Sequence, residues 1–256
     1  MRNEFVKNLN RIEFVVTYAC TGRCRHCSEG SHSSSGPSLD PGPAAGAVRD
    51  TAGRFPVESV MTFGGEPLLC PETVCAVHQA AAESGIPKRQ LITNGFFSWD
   101  SGVIQRTAQK LARAGVNDVL LSVDAFHQET IPLEPVMEFA RAVAGWGVSL
   151  RTHPAWVVSR QHGNPFNLRT AEILAEFQRA GFSASDGNII IPQGNARQYL
   201  SDYYDTQQDY TDPYADDPED IRTLCIDPDG SVLGGNICRS GILDILERYT
   251  PGHSGC

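Results

Sequence analysis

The stretch RIEFVVTYACTGRCRHC (11–27) decides the fold. It opens on RIEFVVT, a near-continuous run of β-branched and aromatic side chains of the kind found in a buried strand. The run gives way to three cysteines, Cys20, Cys24 and Cys27, spaced C-x3-C-x2-C. Similar runs recur at ESVMTF (58–63), RQLIT (89–93), NDVLLSVD (117–124), VSLRTHPAWVV (148–158) and NIIIP (188–192). Helical patterns lie between them at 71–84, 101–114, 135–145 and 167–180. Several of these stop at a glycine (Gly85, Gly115, Gly145, Gly181), where a left-handed C-cap belongs. Six β/α units predict an α/β fold with parallel strands covered by helices. The two architectures that satisfy this pattern are an open doubly wound sheet and a partial (β/α)6 TIM-type barrel.

The 256 residues suffice for one or two domains. The spacing assigns 1–195 to the main domain, 196–219 to an acidic connector, and 220–256 to a small appendage of β-hairpin and helix. The net charge is −9, and most of it sits in SDYYDTQQDYTDPYADDPED (201–220), with 8 acids and no lysine or arginine. That segment reads as a solvated connector, or as a strip for a basic substrate with Tyr203, Tyr204, Tyr210 and Tyr214 as contact area. No basic stripe is present to neutralise phosphates, so a nucleic-acid partner is not expected. No apolar stretch reaches membrane-spanning length, and the N-terminus lacks the pattern of a signal peptide. A cytoplasmic protein is expected, whose eight cysteines are thiols or metal ligands.

The cysteine trio opens a long loop, CTGRCRHCSEGSHSSSGPSLDPGP (20–43), and loops of that length are usually functional or disordered. Thiolates in short spaced runs hold iron–sulfur clusters, and three of them on a four-iron cluster leave one iron open. The competing reading is structural zinc, which wants four ligands. His26 could be the fourth, although its place between two cysteines in CRHC disfavours it.

At these residues the chain resembles the radical S-adenosylmethionine (radical SAM) superfamily. The resemblance implies that Cys20, Cys24 and Cys27 bind a 4Fe–4S cluster whose open iron chelates S-adenosyl-L-methionine. FGGEPLL (63–69), at the end of the second strand, matches the family's GGEP motif. By resemblance Gly64, Gly65, Glu66 and Pro67 belong to the cofactor site, with Glu66 meeting the methionyl amine. TNG (93–95) and SVD (122–124) close the next two strands and add Thr93, Asn94, Ser122 and Asp124, while His26 offers a ring to the adenine. Beyond the cofactor, His127 and Glu129 in AFHQETIP (125–132) read either as site residues or as loop caps. Arg151 and His153 share side-chain parity and point together, to the barrel interior or to a helix. IPQGNA (191–196) resembles a stretch found in members with an extra C-terminal module.

The tail CIDPDGSVLGGNIC (225–238) resembles a shortened SPASM or twitch appendage, read as two strands around an Asp-Pro-Asp-Gly turn. Cys225, Cys238 and Cys256 could hold an auxiliary iron–sulfur cluster, or one of Cys225 and Cys238 could return a hydrogen atom to a substrate radical. The expected activity is reductive cleavage of S-adenosylmethionine and hydrogen abstraction from a ribosomally made peptide, with a flavodoxin- or ferredoxin-type electron donor. An epimerase or dehydrogenase of a small natural product such as an aminosugar is the alternative. With the first strand near residue 11, no leader-recognition domain is expected before it, which weakens the peptide reading. A non-catalytic metal-binding or redox-sensing module is the rival from another class.

Overall fold

A computed structural model describes residues 3–205, 207–208, 210, 212 and 215–252. In chain order the elements are β1 (Arg11–Val15), α1 (Pro41–Arg54), β2 (Ser59–Phe63), α2 (Pro71–Glu83), β3 (Lys88–Thr93), α3 (Ser101–Arg113), β4 (Asp118–Leu121) and α4 (Leu133–Gly145). They continue with β5 (Ser149–Thr152), β6 (Ala155–Trp156), α5 (Pro165–Arg179), β7 (Ser183–Ala184), β8 (Asn188–Ile189) and α6 (Gly194–Tyr199). The chain ends in β9 (Thr223–Ile226), β10 (Ser231–Val232), β11 (Gly235–Asn236) and α7 (Ile242–Arg248). Seven strands form one sheet in the order β7-β5-β4-β3-β2-β1-β9, every pair parallel. This is a partial TIM-type barrel.

Even-numbered residues of β1 and β2 (Ile12, Phe14, Val60) pack outward with Val48 of α1 and Val77 of α2. The opposite parity is inward and polar. Arg11 of β1 reaches Ser59 Oγ and Gln90 Oε1, Gln90 donates to Asp118 Oδ2 at 2.7 Å, and Arg151 donates to the same oxygen at 3.0 Å. Arg151 and His153 therefore face the interior.

Several expectations need correction. The helix α1 lies partly in what reads as loop: Asp40 caps it by accepting from Gly42 N at 2.8 Å, and Pro41 fits the first helical turn. Its buried face is mostly small (Ala44, Ala45 and Ala47, with Val48 and Thr51), so hydrophobic periodicity hides it. The run 148–158 splits at Pro154 into β5 and β6, and the partner of β5 is Ser183–Ala184, not the 188–192 run. Gly187, at φ +75°, marks the matching break: a Cβ there would stand 2.1 Å from Pro154 O. The left-handed residue that ends α4 is Gly147 at φ +77°, just after the C-cap Trp146, while Gly145 is still helical.

The largest difference concerns the tail. β9 extends the main sheet beside β1 (Arg11↔Thr223, Phe14↔Ile226), and Leu224, Ile226, Ile242 and Leu246 share the core of Ile12 and Phe14. Residues 223–226 are thus part of the barrel sheet, and the expected boundary at 220 does not separate two cores. The two runs flanking Asp-Pro-Asp-Gly share one backbone hydrogen bond, Asp227 N to Ser231 O at 3.0 Å, but form no strand ladder. The hairpin is β10–β11, turned through Leu233 and Gly234, both at positive φ. Among the described residues no helix is long and apolar enough to cross a membrane.

Candidate functional site

The cysteine loop leaves β1 and is fastened at several points. Cys20 N donates to Ser33 O at 2.9 Å, and Thr17 Oγ1 donates to Pro37 O at 2.8 Å. Cys20 and Cys24 are buried and Cys27 is half-buried. Gly22 sits between two of the sulfurs: a Cβ there would lie 3.3 Å from Cys24 Sγ and 3.7 Å from Cys20 Sγ. Burial pushes the Cys20 thiol up to about 11 and raises those of Cys24 and Cys27 as well. The sulfurs have polar neighbours: Gly22 N at 3.3 Å and Asn94 Nδ2 at 3.6 Å from Cys20, and His32 Nε2 at 2.9 Å from Cys27.

The GGEP segment explains its glycines here. Gly65 N donates to Thr17 O and Glu66 N to Ala19 O, both at 2.7 Å, so residues 64–66 lie directly on the backbone that launches the cysteine loop. A Cβ on Gly65 would stand 2.2 Å from Ala19 O, and one on Gly64, at φ +138°, 2.5 Å from Thr17 O. Pro67 opens a buried 3-10 turn (Pro67–Leu69), and Glu66 caps it through Leu68 N at 2.9 Å. The Glu66 carboxylate also accepts from Thr93 Oγ1 at 2.7 Å and Asn94 N at 2.9 Å. Its exposure is 0%. Burial, opposed by these hydrogen bonds, pushes it up to about 7. Its partners are one hydroxyl and two amides, none of them cationic. A wholly buried carboxylate without a counter-cation fits an incoming ammonium group.

The end of β4 supplies a second cluster. Ser122 N donates to Thr93 O at 2.8 Å, which ties the two strand ends together. Asp124 is buried and saturated: Oδ1 accepts from Phe126 N and His127 N, and Oδ2 takes Ala155 N at 3.0 Å and lies 2.9 Å from His127 Nδ1. Burial raises this carboxyl, but His127 and the hydrogen bonds outweigh it and hold it well below the usual range. Asp124 therefore orients His127 and joins β4 to β6. His26 packs on Phe126 and edge-on to His127, each at 4.9 Å between ring centroids. Burial pushes its imidazole down to about 4. His153 meets Ser185 Oγ at 2.8 Å, and burial lowers it too.

Sequence reasoning missed the clamp on the far side of the loop. Asn195, opening α6, donates through Nδ2 to Cys24 O at 3.0 Å and Gly30 O at 3.2 Å, and its N–H to Cys27 O at 2.9 Å. Gly194 is required beside it, since a Cβ would stand 2.2 Å from Ser28 O. Arg25 adds an ion pair to Glu129, and Arg23 N donates to Thr130 Oγ1 at 3.0 Å. The IPQGNA stretch was the only local signal for this clamp. Replacing Asn195 by Ala removes two side-chain hydrogen bonds to partly buried carbonyls, an expected cost of about 1–3 kcal/mol. Faster amide hydrogen exchange across 24–30 and a lower Tm are the measurements that check it.

The tail cysteines stand apart. Cys225 lies on β9 opposite Glu13, near Tyr18, whose hydroxyl donates to Asp227 Oδ1 at 3.0 Å. Cys225 and Cys238 are exposed, Cys256 lies outside the described residues, and among those residues no three metal-ligating side chains gather around this pair. Tyr203 and Tyr204 pack half-buried beside Phe166 and Leu200 instead of facing outward, and Tyr214 lies outside the described residues.

Comparison with known proteins bears on the family and the fold. Curated relatives named GTP 3',8-cyclase match about half the chain. The Methanocaldococcus jannaschii protein, named as a probable one, is 27% identical over 129 residues, covering 50% of this chain and 41% of its own. The Chlorobaculum tepidum protein is 29% identical, at 50% and 37% coverage. The chain thus matches well under two thirds of their length. Among solved structures, Streptococcus suis SuiB bound to S-adenosylmethionine aligns with a TM-score of 0.61 at 13% identity, over 95% of this chain and 67% of that one. BtrN in complex with AdoMet and 2-DOIA aligns at 0.53 and 16% identity, over 95% and 84%. Residues 14–153, from within β1 to just past the end of β5, match the family model of the Radical SAM superfamily, and the chain belongs to that superfamily.

Proposed function

We propose that Cys20, Cys24 and Cys27 hold the 4Fe–4S cluster of this radical SAM enzyme, and that Glu66, framed by Thr93 and Asn94, receives the methionyl ammonium of S-adenosylmethionine. The observation that carries the reading is Glu66, buried without a cation on the strand end that touches the cysteine loop. When bound, the two cofactors supply a 5′-deoxyadenosyl radical that takes a hydrogen atom from a substrate. The chain's part is to orient and enclose them. Gly64 and Gly65 hold the Glu66 strand end against the loop, Asn195 fixes the other side, and Asp124 sets the His127 ring. A flavodoxin- or ferredoxin-type protein is the proposed electron donor.

For substrate we propose a peptide. Tyr18, Val158 and Ile189, exposed apolar groups at strand exits, offer contact area for peptide side chains. SuiB bound to precursor peptide SuiA and anSMEcpe with a bound peptide share the fold, at TM-scores of 0.60 and 0.61. A small natural product is the second reading, supported by the match to 84% of BtrN, whose complex holds 2-DOIA. The test is anaerobic incubation of reconstituted enzyme with S-adenosylmethionine, reductant and candidate substrates, followed by product mass spectrometry. A peptide mass change tied to 5′-deoxyadenosine formation supports the peptide. Unchanged peptides beside an altered small molecule such as an aminosugar would replace it.

A further inference from the structure

We propose that Cys24, His26 and His127 form a mononuclear site for a divalent cation of the zinc class, open to the chain before its cluster is assembled. One ligand atom from each residue lies within 4.8 Å of the other two. Each histidine offers one ring nitrogen to the ion. His127 Nδ1 is engaged by Asp124 Oδ2, which leaves Nε2 as its outward atom. His26 Nδ1 is buried with no hydrogen-bond partner. Beside them stands a buried thiol, and sulfur with imidazole is the donor set that zinc prefers. The second sphere is already present, because a carboxylate behind a metal-bound histidine fixes its tautomer and strengthens its basicity. Binding displaces one proton, from the Cys24 thiol to solvent, and leaves the fourth position of a tetrahedral ion to water. Since Cys24 serves both sites, zinc and the cluster exclude one another.

The test titrates Co²⁺ into the cluster-free full-length chain and follows visible absorption. One ion per chain is expected, with tetrahedral d–d bands and a thiolate charge-transfer band, both removed by Zn²⁺. His127→Ala and His26→Ala should each weaken Co²⁺ binding about tenfold or more. Cys24→Ala should abolish the charge-transfer band. The double variant Cys20→Ala/Cys27→Ala should bind Co²⁺ as wild type does. Because His127 meets the buried Asp124 carboxylate through Nδ1, its variant is checked by circular dichroism, and His26→Ala decides alone if that variant is unfolded. Binding that survives both histidine variants but fails without Cys20 and Cys27 would assign the ion to the thiol trio and overturn the proposal. Absence of Co²⁺ binding to the wild-type chain would do the same. Pre-loading with Zn²⁺ should also reduce iron uptake on reconstitution, and undiminished uptake counts against a shared ligand.

Discussion

Replacing Cys20, Cys24 and Cys27 together by alanine is expected to leave no iron–sulfur absorbance and no 5′-deoxyadenosine, where the wild-type chain should reconstitute about four irons. The three thiols lie close together at the front of one loop, and each supplies a ligand that no neighbouring side chain replaces in kind. Iron and sulfide analysis with a visible spectrum measures the first outcome, and chromatography after dithionite and S-adenosylmethionine the second. The fold should survive, because the loop is also held by Asn195, Ser33 and Arg25 through bonds that use no sulfur. About four irons remaining in the triple variant would place a cluster elsewhere, with Cys225 and Cys238 the first residues to examine. The exposure of both thiols, and the absence of a third ligand beside them among the described residues, makes the single cluster the expected result.

What could be read from the sequence follows the range of the interactions. The cysteine spacing and GGEP are local, and both report chemistry that needs several residues within a few positions. The strands β1 to β4 show through their apolar helix-facing side chains, such as Ile12, Phe14 and Val60, although their interior face carries Arg11, Gln90 and Asp118. The edge strands escaped for opposite reasons. β7 is two small residues, too short for any periodicity, while β9 looks like half of a local hairpin until it pairs with β1 more than 200 residues away. Asn195 escaped in the same way. IPQGNA marks the stretch, but not which of its residues will cap carbonyls of residues 24 and 30. Asp124 shows a subtler shift: a polar residue at a strand end suggests direct contact with a ligand, yet all its acceptor capacity is spent on His127 and three backbone amides. The neighbour that shares the Cys24 cluster is His127, and Asp124 acts through it.

Replacing Glu66 by alanine should weaken S-adenosylmethionine binding by roughly 10- to 100-fold while the iron content stays at the wild-type level. A hydrogen bond to a charged partner contributes about 1.5–3 kcal/mol, which gives that range. The pH dependence sharpens the test. Burial raises the Glu66 carboxyl from 4.5 to about 7, so the ligand-free protein holds this proton where the unfolded chain has already lost it. Stability contributed by this group falls as pH rises from about 4.5 to about 7 and is level above that. Affinity for an ammonium group runs the other way: it should rise as pH passes through about 7 and the carboxylate forms. Glu66→Gln should remove both trends, since the amide does not ionise. It also sets its own NH2 against Asn94 N–H, which now donates to Glu66 Oε2, so some loss of stability above pH 7 is expected as well. Isothermal titration of the loaded protein between pH 6 and pH 8 reads the affinity, and thermal melts of the cofactor-free chain read the stability. Unchanged affinity in Glu66→Ala with the cluster intact would remove Glu66 from the binding site, and a pH-independent wild-type affinity would show that its carboxylate does not meet the ammonium.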